Sequence, residues 1–117
     1  MGAPTVPVVL LGRYTTLAGG DSLVTSPIVV AEYSSIELGA WRGAMEDPAG
    51  SFEVKLQESM DQVTWTTISA TVVPSGAETP VTADLSRTWL RVWVRMTAAA
   101  FPVVSCYLVG FLLRRRG

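Results

Sequence analysis

The sequence contains no histidine, the side chain that enzymes use most often as a general base, metal ligand or triad member. It contains a single cysteine, Cys106, so it can form neither an internal disulfide nor a cysteine-rich zinc site. The glycines follow no phosphate-binding spacing. We therefore expect a protein that is not an enzyme and that has no cofactor and no metal site.

Charge is also scarce. Charged residues make up only 16% of the chain, against about 25% in an average soluble domain. The formal net charge of -1 provides no long-range field to attract nucleic acid or an anionic membrane, which disfavours both as partners. Hydrophobic residues make up 49% of the chain and the mean hydropathy is +0.36. We expect a partner to cover part of this apolar surface.

The N-terminus has no basic start followed by an apolar core, so no signal peptide is predicted. The apolar segment 98–113 is followed by Arg114, Arg115 and Arg116, a pattern similar to that of a membrane anchor. It is only 16 residues long, whereas a spanning helix needs about 20, and it contains Pro102. We expect no membrane span. Residues 103–113 are predicted to form a central strand buried on both faces.

The length of 117 residues fits one domain, and no internal repeat or linker is visible, so we expect a single domain over 1–117. Turn-forming residues separate short apolar runs at 18–21, 46–50 and 74–76. The strands predicted between such breaks cover 6–14, 28–33, 35–45, 51–59, 64–69, 79–84, 88–97 and 103–113. Many short strands without a long helix are typical of sandwiches and barrels.

Strict alternation in 51–59 indicates a half-buried strand, with Phe52, Val54 and Leu56 on one side and polar residues on the other. The segment 88–97 alternates in the same way. We therefore predict an all-β fold, a two-sheet antiparallel sandwich of the jelly-roll or Greek-key type. An immunoglobulin-type sandwich without its cysteine pair is the alternative.

The second face of 88–97 is unusual for a solvent-facing surface, because it carries Trp89, Arg91, Trp93 and Arg95, about 6 to 7 Å apart. Tryptophan and arginine are enriched at interface hot spots and can stack on each other. We name these four residues the Trp/Arg stripe and predict that it binds another protein. A carbohydrate platform, a single-stranded nucleic acid site and an internal ladder covered by a neighbouring segment are the alternatives.

A hairpin is predicted over 52–65, where Asp61 caps a turn and Trp65 begins the return strand. We expect Trp65 to plug one end of the sandwich. The segment resembles the pattern Q-x-S-x-D-G-x-x-W of β-sandwich proteins from tailed-phage particles and of some bacterial surface modules. Here Gln62 stands where that pattern has glycine, which favours a longer loop over a two-residue turn.

This resemblance implies a role as a structural protein of a bacteriophage virion, such as a capsid decoration protein or a minor head or tail protein. The sequence-based hypothesis is a non-enzymatic protein that self-associates, with a trimer favoured, and binds a larger shell such as a capsid. The alternative is a carbohydrate-binding β-sandwich module. Its platform residues would be Trp41, Trp65, Trp89 or Trp93.

Overall fold

The computed structural model describes residues 5–18, 22–43, 51–71, 78–97 and 103–114, and within these ranges the regular structure is entirely β. The strands are β1 (Thr5–Ala18), β2 (Ser22–Val24), β3 (Ile28–Val29), β4 (Tyr33–Arg42), β5 (Ser51–Ser59), β6 (Thr66–Thr67), β7 (Thr79–Asp84), β8 (Trp89–Thr97) and β9 (Val103–Arg114).

The strands form two sheets, and every pair of neighbouring strands is antiparallel. The first sheet has the order β1-β9-β4-β7, so the first and last strands of the chain are neighbours. The second sheet has the order β2-β8-β5-β6, and β3 pairs with β8 after β2 ends. Because consecutive strands repeatedly change sheets, the fold is a two-sheet sandwich of the jelly-roll or Greek-key type. The predicted fold class is confirmed.

The core lies between the sheets and consists mainly of alternate residues from the longer strands, as period-two patterning requires. The first sheet contributes Ile36, Leu38, Ala40, Val81, Cys106, Leu108 and Leu112. The second contributes Phe52, Val54, Leu56, Leu90, Val92 and Val94. Burial of each large apolar side chain stabilises the fold by about 1.5 to 3 kcal/mol. This core fixes which residues of β5 and β8 face outwards.

Several strand bounds follow the sequence closely. The predictions for 51–59 and 79–84 match β5 and β7, and those for 88–97 and 103–113 differ from β8 and β9 by one residue at one end. A turn at residues 31–32, closed by the Tyr33 N–H donating to the Val30 carbonyl at 3.0 Å, ends β3 early and places Tyr33 in β4. Residues 44–45 of the strand predicted over 35–45 lie outside the described residues.

Other bounds differ more. β1 continues to Ala18, and β2 was not predicted. The strand predicted over 64–69 is reduced to Thr66–Thr67, because the preceding loop extends through residue 65. The turns predicted at 46–50 and 74–76, and positions 19–21 of the first turn, lie outside the described residues.

β9 is a central strand between β1 and β4, as predicted for 103–113. No helix of the described residues is long and apolar enough to cross a membrane. Within a single copy only one face of this strand is fully buried, so the second sheet does not supply the predicted cover of the other face. Cover by a subunit interface, the other source that this prediction allows, stays a prediction. Cys106, Leu108 and Leu112 are buried in the core, whereas Phe111 on the opposite face is 48% exposed. The reason is that the second sheet covers only one face of the first.

Candidate functional site: two outer faces of the sandwich

The outer face of the second sheet carries all four residues of the Trp/Arg stripe. Inward burial of Leu90, Val92 and Val94 leaves the odd-numbered side chains of β8 on the outside. Trp89, Arg91 and Trp93 are half-buried and Arg95 is exposed. In β5 the outward positions opposite the stripe are Glu53, Lys55 and Gln57, whereas Ser59, opposite Trp89, is buried. The stripe is therefore one row of a wider polar and aromatic face.

Arg91 contacts a tryptophan from outside the stripe. Its guanidinium carbon lies 4.2 Å from the centroid of the Trp65 ring, and its Nε donates to Gln57 Oε1 at 2.8 Å. Burial lowers the pKa of Arg91, because removing water disfavours the charged form. Trp65 therefore covers Arg91 on the outer face, and the prediction that Trp65 plugs an end of the core is wrong. At this position a neighbouring loop covers part of the stripe.

Trp93 also pairs with a cation from the neighbouring strand. Lys55 lies directly opposite Trp93 in the β5–β8 register, and its Nζ is 4.6 Å from the centroid of the Trp93 ring. The two cation–π contacts thus cross between segments, whereas the sequence had suggested stacking within the stripe. One side of each ring is occupied by a cation, which reduces the aromatic surface available to a flat ligand.

Exposed valines extend this face beyond the stripe. Val24 of β2 lies opposite Trp93, and Val29 of β3 lies opposite Trp89, so each valine shares the face of its tryptophan. Val24 is 45% exposed and Val29 is 56% exposed. Sequence reasoning missed both residues as site candidates. The short segments that contain them pair with β8 only through the tertiary fold.

The loop that carries Trp65 is held by a dense set of local hydrogen bonds. The backbone N–H groups of Asp61 and Gln62 donate to Ser59 Oγ at 3.2 and 2.9 Å. The N–H groups of Val63 and Thr64 donate to Asp61 Oδ1 at 2.8 and 2.9 Å. The bonds that Thr64, Val63 and the Ser59 hydroxyl donate to the Asp61 carboxylate lower the pKa of Asp61.

Gln62 has φ of 62°, the left-handed conformation that favours glycine. This is the position at which the phage pattern has glycine, and the loop is longer than two residues, as the sequence predicted. The Trp65 indole Nε1 donates to the Gln62 carbonyl at 3.2 Å. The loop conformation therefore sets the position of the ring that covers Arg91.

A buried carboxylate at the end of β5 fixes the start of β8. Glu58 is 4% exposed and accepts hydrogen bonds from the Ser86 N–H at 3.1 Å and the Ser86 hydroxyl at 2.8 Å. Arg87 Nε lies 3.6 Å from Glu58 Oε1. Because Ser86 and Arg87 directly precede β8, these contacts position Trp89, the first residue of the stripe.

The outer face of the first sheet is also apolar at its centre, but the charged residues around that centre differ in sign from those on the outer face of the second sheet. Val9 and Phe111 are 64% and 48% exposed. Trp41 stacks on Tyr107, with ring centroids 5.4 Å apart and an interplanar angle of 17°. Trp41 therefore lies on the opposite side of the molecule from the stripe. The four tryptophans suggested for a carbohydrate platform do not share one surface.

Carboxylates surround this apolar centre. Glu37 of β4 and Asp84 of β7 are exposed and occupy outward positions of the sheet. Glu78 lies beside Gly39, and its Oε2 accepts a hydrogen bond from the Tyr107 hydroxyl at 2.5 Å. We call this surface the acidic face. The outer face of the second sheet, with Lys55, Arg91 and Arg95, is called the basic face.

Within the described residues, no group of three metal-ligating side chains could hold an ion. Glu46 and Asp47, adjacent carboxylates in a predicted turn, lie outside those residues. Burial raises the pKa of the Cys106 thiol to about 11, because desolvation disfavours the thiolate. Cys106 is a core side chain that remains protonated at neutral pH.

No family model matches the sequence, and no curated protein is similar to it. Its fold is similar to solved structures. A chain from the structure of infectious bursal disease virus, Gt strain, aligns with a TM-score of 0.62 at 10% identity, over 95% of this chain and 32% of the viral chain. A chain of the VP2 subviral particle of that virus gives 0.61 at 8% identity, over 95% and 33%.

The SPBc2 prophage-derived protein YomS has a TM-score of 0.53 at 12% identity, with 92% of this chain and 94% of that chain covered. This chain spans about a third of the length of the viral chains, and nearly all of YomS. The neighbours share the β-sandwich fold at low identity. The predicted resemblance was to β-sandwich proteins of tailed-phage particles, and the comparisons support a β-sandwich fold shared with viral and prophage-derived proteins.

Proposed function

We propose that this chain is a non-enzymatic structural protein of a virion, either a capsid decoration protein or a minor head or tail protein of a bacteriophage. In this role it self-associates and binds a larger protein shell. The fold similarity to chains from a virus particle and to a prophage-derived protein supports a structural, virus-related role. The function itself rests on the surface chemistry of the sandwich.

The observation that carries the proposal is the basic face. Tryptophan and arginine, which are enriched at interface hot spots, share one sheet surface there with exposed valine side chains. Trp89 and Trp93 remain half-exposed in a single copy. A partner that covers them would remove apolar area from water, at about 25 cal/mol per Å².

Copies of the chain are the first proposed partner, and a trimer is the size expected for decoration of an icosahedral lattice. The exposed apolar residues on both outer faces support self-association, because monomers rarely leave large apolar patches uncovered. The shell protein is the second partner. The proposed location is the virion.

A carbohydrate-binding module is the second candidate function. Trp89 and Trp93 lie on the outer face of one sheet and the loop residue Trp65 lies over it, as a platform requires, but Trp41 lies on the other sheet. Cations cover one side of the Trp65 and Trp93 rings. These contacts favour a protein partner over a sugar.

Sedimentation velocity and light scattering of the purified chain, from low to high micromolar concentration, test the self-association. Mass spectrometry of purified particles, from a culture of the organism whose genome carries the gene, tests the virion location. We expect oligomers and a constant amount of the chain per particle. A monomer at every concentration, together with absence from the particles, would contradict the proposal. Retention on immobilised glucan or chitin would favour the carbohydrate module.

A further inference from the structure

The two outer faces of the sandwich carry charges of opposite sign. Among the described outward positions of β5 and β8, Lys55, Arg91 and Arg95 outnumber the carboxylate Glu53. Arg95 is exposed and its position in the register is directly opposite Glu53. Cations therefore predominate on the side of the molecule that carries the Trp/Arg stripe, although the chain as a whole has a net charge of -1.

The acidic face has the converse distribution. Glu37, Glu78 and Asp84 are all exposed, and among the outward side chains that the structure describes on this sheet none is Lys or Arg. The Tyr107 hydroxyl bonds to Glu78, which holds this carboxylate against the sheet. The chain thus carries an anionic surface and a cationic surface on opposite sides of one sandwich.

Each face also has exposed apolar side chains. Val9 and Phe111 lie on the acidic face, and Val24 and Val29 on the basic face, each between 45% and 64% exposed. An apolar centre with charged residues around it is the usual anatomy of a protein interface. The two faces therefore match each other both in apolar character and in charge.

We propose that the basic face of one copy docks on the acidic face of a second copy. This inference rests on the self-association in the proposed function and names the surfaces that meet. Contact between two basic faces or two acidic faces would place like charges opposite each other and is disfavoured. The contact is therefore head-to-tail, with two different surfaces of each copy involved.

A head-to-tail contact, unlike a symmetric dimer, leaves each copy able to bind a further copy. Each copy that docks through its basic face leaves its acidic face open for the next copy. If successive copies are rotated enough, the assembly closes into a ring such as a trimer. If they are not, it continues as a stack. The mass of the oligomers distinguishes the two forms, and a trimeric ring is the form expected under the proposed function.

Two charge-reversal variants test the contact. The first, Lys55→Glu with Arg95→Glu, makes the basic face anionic, and the second, Glu37→Lys with Asp84→Lys, makes the acidic face cationic. Each variant alone has two faces of the same sign. We expect each to associate with itself at least roughly tenfold more weakly than the wild type. Circular dichroism and the urea midpoint verify that both variants fold.

A second measurement is the equimolar mixture of the two variants, followed by sedimentation velocity. Every contact between the two variants pairs faces of opposite sign, so the mixture should regain oligomers that contain both chains. Isotope labelling of one variant with native mass spectrometry identifies alternating composition. A symmetric contact between identical faces is tested by each variant alone. Reversal of one whole face leaves its contact with the same face of another copy like-charged, and reversal of the other face does not affect it, so neither variant should then associate more weakly than the wild type.

If the wild type associates but the mixture stays as weak as either variant, the head-to-tail contact is overturned while self-association stands. If reversal of charge on the acidic face leaves association unchanged, the basic face does not dock on the acidic face. The head-to-tail contact is then overturned, and self-association again stands. If the wild type never associates, the self-association in the proposed function fails first. A variant that does not fold is replaced by the single change Arg95→Glu or Asp84→Lys, since both positions are exposed.

Discussion

The guanidinium carbon of Arg91 lies 4.2 Å from the centre of the Trp65 ring, so a loop residue covers a cation of the central strand β8. The contact joins the β5–β6 hairpin loop to the middle of the basic face. Because Gln57 also binds Arg91, the guanidinium is held from two sides. A held side chain loses less conformational entropy when a partner binds it.

The Arg91–Trp65 contact predicts measurable coupling between the two residues. In a double-mutant cycle of Arg91→Ala and Trp65→Ala, the interaction free energy should be about 0.5 to 1 kcal/mol. Urea unfolding of the four proteins measures it. Arg95→Ala combined with Trp65→Ala is the control, since Arg95 is exposed and lies further along the strand. Coupling equal to that of the control would contradict a specific contact.

Self-association should weaken as salt is added. The proposed contact pairs Lys55 and Arg95 with carboxylates of another copy, and exposed charges more than about 10 Å apart are largely screened at 0.1 M salt. We expect the association constant to fall several-fold between low salt and a few times physiological salt, measured by sedimentation equilibrium. An association that strengthens with salt would indicate a purely apolar contact.

Gln62→Gly should stabilise the protein. The left-handed conformation at Gln62 is strained for a residue with a Cβ atom, whereas glycine adopts it freely. After allowing for the greater entropy of glycine in the unfolded chain, the expected gain is about 0.5 to 1 kcal/mol in urea unfolding. Gln62→Ala is the control, because it removes the amide but keeps the Cβ atom and should give no gain.

Stability should depend on pH through Asp61. Hydrogen bonds from the Thr64 and Val63 N–H groups and the Ser59 hydroxyl lower its pKa below the ordinary value of 3.8. A carboxyl with a lowered pKa in the folded state stabilises the fold above its ordinary pKa, and this contribution disappears as the pH falls through the folded pKa.

The comparison of wild type with Asp61→Asn isolates this contribution from other carboxylates. The difference in urea midpoint should be constant above about pH 5 and shrink as the pH falls below about 4. A series of urea titrations across this range measures it. A difference that does not change with pH would show that folding does not lower the pKa of Asp61.

Gly110→Ala should strongly destabilise the sandwich. A Cβ atom at this position would collide with the Glu37 carbonyl oxygen and lie 2.7 Å from Leu38 Cα, both backbone atoms of the neighbouring strand β4. The expected cost is about 2 to 4 kcal/mol, because a strand must shift. Gly12→Ala is the matched control, since the nearest atom to its Cβ is Val9 Cγ1 at 3.8 Å. Equal stability of the two variants would contradict the close approach.

Much of the second sheet is predictable from local patterning. In β5 and β8 every second residue is apolar, and because strand side chains alternate between faces, the core residues and the Trp/Arg stripe both follow from the sequence. The position of β2 is not predictable in this way. Its three residues form a strand only because Val24 and its neighbours pair with β8.

The local sequence determined the strand periodicity, the loop centred on Asp61 and the common face of Trp89, Arg91, Trp93 and Arg95. Only the tertiary structure decided which residues contact these side chains. Trp65 covers Arg91, Lys55 covers Trp93, and Trp41 lies on the other sheet, because strand order and register bring distant segments together. The separation of cations and carboxylates onto opposite faces arises in the same way. It depends on how β4, β5, β7 and β8 are distributed between the two sheets, and alternation along any one strand carries no information about that distribution.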